Sequence, residues 1–102
     1  MKLRDHPKIK GKWPCRWNAV NPITSSRKSG LQGEQGELKE VKGPFIHGPS
    51  GHLALVIEYQ GDEWTAQISL NDKVLLQALF SKLVTASNVG MSLQEVGDID
   101  LD

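Results

Sequence analysis

The sequence predicts an α+β domain: a three-stranded antiparallel β-meander, with a short fourth strand as an option, packed by one C-terminal amphipathic helix and preceded by an extended basic N-terminal arm. Three observations predict it. Residues 52–60 and 63–70 each alternate apolar and polar side chains, the period of a strand with one buried face. A glycine-bearing break separates the two runs, as in a hairpin. Immediately afterwards Leu75, Leu76, Leu79, Phe80 and Leu83 recur at spacings of three and four, the stripe of a helix that covers an apolar surface. Fourteen of the Leu, Ile, Val, Phe and Trp residues lie between Gly51 and Ala86, so the core must be built there.

The chain begins with a segment, Met1 to Lys12, that has too few apolar residues to fold alone and is broken by Pro7 and Gly11. Trp13 precedes Pro14, which disfavours helix for it, so the Trp13–Trp17 piece is expected to be extended. Asn21-Pro22 marks a turn. From Thr24 to Gly36 the chain is rich in Ser, Gly, Gln and charge, with Leu31 its one apolar residue, and reads as a mobile loop. The division that follows is a basic, partly flexible arm and loop over 1–36 and a globular domain over 37–102.

Order resumes at Glu37. Leu38 and Val41 are three apart, which a β-bulge near Lys39-Glu40 reconciles with a strand; a single helical turn is the alternative. Phe45-Ile46-His47 continues the strand, and Pro44 places it at a sheet edge, because proline cannot donate to a ladder. Gly48-Pro49-Ser50-Gly51 turns the chain into His52–Gln60, whose core face carries Leu53, Leu55, Ile57 and Tyr59. Gly61-Asp62 is read as the next turn. Trp64, Ala66, Ile68 and Leu70 then form the core face of the following strand.

Asn71 or Asp72 caps the helix by accepting from a first-turn amide, and Asn88-Val89-Gly90 ends it. Ser92 and Glu95 match a capping box for a short helical turn stopped by Gly97. Asp98–Asp102 alternates, which fits either a terminal edge strand or a frayed acidic tail. A meander closed by a helix is similar to chromo-like and other SH3-like small barrels, an analogy of fold that carries little functional weight. An OB-fold fits worse, because it needs two full strands after the helix.

Composition narrows the function classes. The chain has 102 residues, 38% of them hydrophobic, enough for one core. No apolar run approaches the ~20 residues of a membrane span, and the start has charge but no apolar stretch of a secretory signal. Cys15 is alone, which fits a reducing compartment, so a cytoplasmic protein without membrane contact is expected. The zero net charge hides an asymmetry: eight basic residues stand against Asp5 up to Lys28, and four against eleven acids from Ser29 onward. Such a split marks an interaction arm.

Candidate chemistry is sparse. His47 and His52 bracket a turn and, with Cys15 or His6, would give an irregular metal site; zinc sites offer four ligands in short pairs, so no metal and no cofactor are expected. Cys15 sits beside Arg16, which favours its thiolate, but no nucleophile elbow, phosphate loop or paired-carboxylate signature accompanies it, and no catalytic residue is assigned. Gly33-Glu34-Gln35-Gly36 lacks the Lys-Ser/Thr of a phosphate loop. Asp98, Asp100 and Asp102 resemble the opening of a calcium loop without its later Gly and Glu.

The basic arm stands above this background. Lys10, Lys12, Trp13, Arg16 and Trp17 interleave cations, which neutralise phosphates, with rings on which unpaired bases stack, and Arg27 and Lys28 extend the track. The expected function is a small non-catalytic binding module that contacts nucleic acid without strong sequence preference. Two alternatives stand beside it: the tryptophans pack on the core as an anchor, or the protein is an adaptor that binds a protein partner or itself through a sheet edge or through its opposite charges.

Overall fold

The computed structural model describes residues 1–13, 18–20, 27–29 and 36–101, the two short inner pieces as backbone alone. A 3-10 turn (Leu3–Asp5) is followed by β1 (Asn18–Val20), β2 (Arg27–Ser29), β3 (Glu37–His47), β4 (Ser50–Tyr59), β5 (Asp62–Leu70), α1 (Lys73–Asn88) and α2 (Leu93–Gly97). The antiparallel meander β3–β4–β5 with a helix packed on it is the α+β arrangement that the alternation predicts. The sheet is open and larger than expected, with order β2-β1-β5-β4-β3. β1 and β2 lie where the sequence reads as arm and mobile loop. Strands of three residues are too short to display an alternation, so their pairing beside β5 leaves no periodic signal.

β3 is an edge strand, as Pro44 requires. Its register against β4 shifts between Leu38 and Glu40, which is the bulge that puts both Leu38 and Val41 on the core face, opposite Ile57 and Leu55. A second shift, between Lys42 and Phe45, contains the cis Gly43-Pro44 bond and returns Phe45 to the outer face opposite His52. The β4–β5 turn is one residue earlier than expected: Gln60 and Gly61 both have positive φ (53° and 85°), and Tyr59 pairs with Asp62. A two-residue turn of type I′ needs positive φ at both central positions, and this placement gives glycine the second of them.

Asp72 is the residue that caps α1, accepting from the Leu75 amide at 3.0 Å. Leu76, Leu79 and Leu83 are buried on the predicted stripe with Ala86, while Leu75 and Phe80 lie at its margin. α1 lies closest to β3, then to β4 and β5. Gly51 permits that approach. A Cβ there would stand 2.6 Å from the Phe45 carbonyl oxygen and 2.8 Å from Leu76 Cδ2.

The N-terminal segment is part of this body. Leu3, Ile9 and Trp13 join one core with Leu93, Val96 and the sheet residues. The Leu3 amide donates to the Ile99 carbonyl at 2.8 Å, the Leu101 amide to the Met1 carbonyl at 3.0 Å, and Lys2 bridges Asp100. Asp98–Leu101 is therefore neither a full strand nor a free tail; it lies in a one-residue bridge against the N-terminal segment. Arg4 closes the seam, bonding the Asp98 carboxylate through Nη1 and the Gln94 carbonyl at 2.8 Å through Nη2. Gly97 leaves it space, since a Cβ there would lie 2.6 Å from Arg4 Nη2. The capping box predicted for α2 is present, with Ser92 and Glu95 each bonding the other's amide. Among the described residues no helix is long and apolar enough to cross a membrane.

Two predictions follow from packing and charge. Leu79→Ala should lower unfolding free energy by about 2–5 kcal/mol, read by urea denaturation, and Leu79→Asp should abolish the cooperative transition. Arg4, then Lys2, holds the Asp98 carboxyl below its ordinary range, and the Leu75 amide, then Lys8, does the same for Asp72. A depressed folded pKa stabilises above the unfolded value and is lost as pH falls through the folded one. The melting temperature should therefore be flat from neutral pH to about 5 and fall below about 4, with a shallower fall in Asp98→Asn.

Candidate functional site

After the 3-10 turn the chain coils through further turns, with the Ile9 and Lys10 amides donating to the His6 carbonyl (2.9 and 2.7 Å) and the Lys12 amide to Ile9 (2.8 Å). This coil buries Ile9 and Trp13 and leaves Lys8, Lys10 and Lys12 exposed. The three lysines line one hollow of about 320 Å³, with Pro7 beside them and Leu70 and Asn71 from the β5–α1 junction. Lys8 Nζ pairs with the capping carboxylate of Asp72 at 2.8 Å, which fixes the coil to the start of α1. Lys12 Nζ donates to the Ser69 carbonyl at 3.0 Å. Among the described residues neither Lys10 nor Lys12 pairs with a carboxylate. The arrangement is a concave wall of three lysines, one of whose charges Asp72 already balances.

The expected site residues separate. Lys10 and Lys12 meet in the hollow. Trp13 does not present a ring to solvent: it is 5% exposed, and its indole Nε1 donates to the Leu93 carbonyl at 3.2 Å. Of the two roles open to it, it anchors, because an indole this large recovers more by burial beside Leu3 and Ile9 than a flat exposed position would give. Arg16, Trp17 and Cys15 lie outside the described residues. Arg27 and Lys28 are placed by their backbone in β2, opposite Val20 and Ala19, and their side chains are not among those described. Lys8 belongs with the site residues although the sequence reading left it out. Its position two before Lys10 and four before Lys12 was the available signal.

A second feature lies on the sheet face turned away from α1. The His52 ring stacks between Phe45 (centroids 4.9 Å apart, planes at 27°) and His47 (5.3 Å, 10°). The histidines are thus neighbours, as their positions around the turn suggested. Among the described residues no group of three or more His, Cys, Asp or Glu is placed to hold a metal ion. At the far end of β3 Lys39 stands between Glu37 (3.4 Å) and Glu58 (3.6 Å), which face each other across the ladder; Glu37, then Glu58, raises the lysine's pKa. That cation offsets a like-charge pair and is structural in role.

Protein-family models, curated proteins and solved structures give no match to this chain.

The anchoring role of Trp13 carries a prediction. Trp13→Ala should cost about 3–5 kcal/mol in stability, measured by denaturation, as a core deletion does. A variant that kept the wild-type melting temperature would remove Trp13 from the core.

Proposed function

We propose that the protein is a small non-catalytic module that binds nucleic acid through its phosphate backbone, with the lysine wall of Lys8, Lys10 and Lys12 as the contact. The carrying observation is that wall: three lysines line one hollow at the β5–α1 junction, and two of them, Lys10 and Lys12, have no carboxylate partner among the described residues. Lysines neutralise phosphates and release condensed counterions, a gain that is independent of sequence. A groove-reading helix is not part of this reading, since α1 is committed to the sheet by Leu76, Leu79 and Leu83. The lone Cys15 favours a cytoplasmic setting, where it stays reduced.

The test is titration of labelled single- and double-stranded oligonucleotides at several salt concentrations. With two phosphate contacts on a single strand, from Lys10 and Lys12, log K should fall against log salt with a slope of about −1.4. Lys10→Ala with Lys12→Ala should weaken binding at low salt and flatten that slope, at unchanged melting temperature. No binding at low salt would retire the reading and direct the search to a protein partner.

A further inference from the structure

Among the described residues Trp13 is turned into the core, and the outer sheet face holds another ring surface for a nucleic-acid-binding reading. Cross-strand pairing arranges that face in rows. Phe45, His52 and Ser69 form one row; Lys42, Ala54 and Gln67 the next; Glu40, Val56 and Thr65 a third; Glu37, Glu58 and Glu63 the last. The face therefore runs from rings and a lysine at the β3–β4 turn to carboxylates at the opposite end. Phe45 is 45% exposed, an aromatic ring that the fold leaves in water although α1 and the core lie on the other side of the same sheet. The bulge between Lys42 and Phe45 is what turns it outward onto His52.

From these positions we infer that the outer face beside the β3–β4 turn is a base-stacking platform for the unpaired bases of single-stranded nucleic acid, with Phe45 as its principal ring and Lys42 as the adjoining phosphate contact. The inference rests on the proposed function and specifies its substrate. The ladder of Phe45, His52 and His47 presents flat π surface that every base can stack on. His52, itself stacked on His47, holds the Phe45 ring from one side, so its orientation is set before a ligand arrives. Lys42 is exposed in the adjacent row and has no carboxylate partner among the described residues. The lysine wall meets the sheet at the row that holds Phe45. Lys12 bonds the carbonyl of Ser69, and Ser69 lies in the Phe45 row two strands away, about 10 Å at ~4.8 Å per strand. The carboxylates of Glu37, Glu40, Glu58 and Glu63 repel phosphate from the other end, which gives the face a direction. A duplex keeps its bases inside and cannot use the rings.

The experiment titrates the full chain, at low salt, with labelled oligothymidylate and with an abasic strand of the same length. Wild type, Phe45→Ala and the Lys10→Ala/Lys12→Ala pair are compared, each checked by its melting temperature. Wild type should prefer the thymidylate. Phe45→Ala should lose on the order of 5- to 150-fold for it and keep its affinity for the abasic strand, while the lysine pair weakens both. Upfield shifts of the Phe45 and His52 ring protons on titration give the same answer without mutagenesis. Equal affinity of wild type for the two strands, or a Phe45→Ala variant that binds thymidylate normally, overturns the platform and leaves the lysine wall standing. Failure of both strands to bind wild type overturns the wall as well. A dimer by light scattering that Phe45→Ala dissolves would assign the face to a second copy of the chain and also overturn the proposal.

Discussion

The apolar face of the β3–β4–β5 meander has to be covered, and no single element of this chain is large enough to do it. α1 lies closest to β3 and contributes Leu76, Leu79 and Leu83. The same core is completed by Leu3, Ile9 and Trp13 from one end of the chain and by Leu93 and Val96 from the other. Each piece is too short to be stable alone, and each is held by the surface the others leave open. The specific polar bonds serve this geometry rather than replacing it: Asp72 caps α1 and pairs with Lys8, and Arg4 ties the N-terminal coil to the end of α2.

That division of labour explains the position of the basic hollow. Burying Ile9 and Trp13 forces the alternate residues of the same coil outward, and those residues are lysines. The lysine wall and the core anchor are two sides of one peptide segment. The outer sheet face has a comparable origin, since one bulge of β3 keeps Leu38 and Val41 in the core and the next returns Phe45 to the opposite surface.

The meander and helix were legible in the sequence because their signals are periodic: Leu53 to Tyr59, Trp64 to Leu70 and the α1 stripe each repeat a pattern. The bulge beside Lys39 was legible from a spacing of three where two was due. The β4–β5 turn was misplaced by one residue, because Gly61 marks a turn without saying which of its two central positions it holds. The N-terminal coil reads as an arm in the sequence, since Leu3, Ile9 and Trp13 share no simple period and their burial depends on partners eighty or more residues away. The same gap hid the role of Trp13: composition shows a tryptophan among lysines, and only tertiary structure decides whether its ring faces the core or the solvent. The stacked Phe45, His52 and His47 depend on a bulge and a turn together, which no local window reports.

The seam between Leu3 and Ile99 has a consequence for how the chain is made. A ribosome delivers residue 3 first, and its partner follows more than ninety residues later, at ~5–20 residues per second a wait of roughly 5–20 s. Throughout that interval Leu3, Ile9 and Trp13 have no Leu93 or Val96 to cover them, and the meander's apolar face is only part closed. Long-range contacts of this kind raise contact order and slow the final docking step.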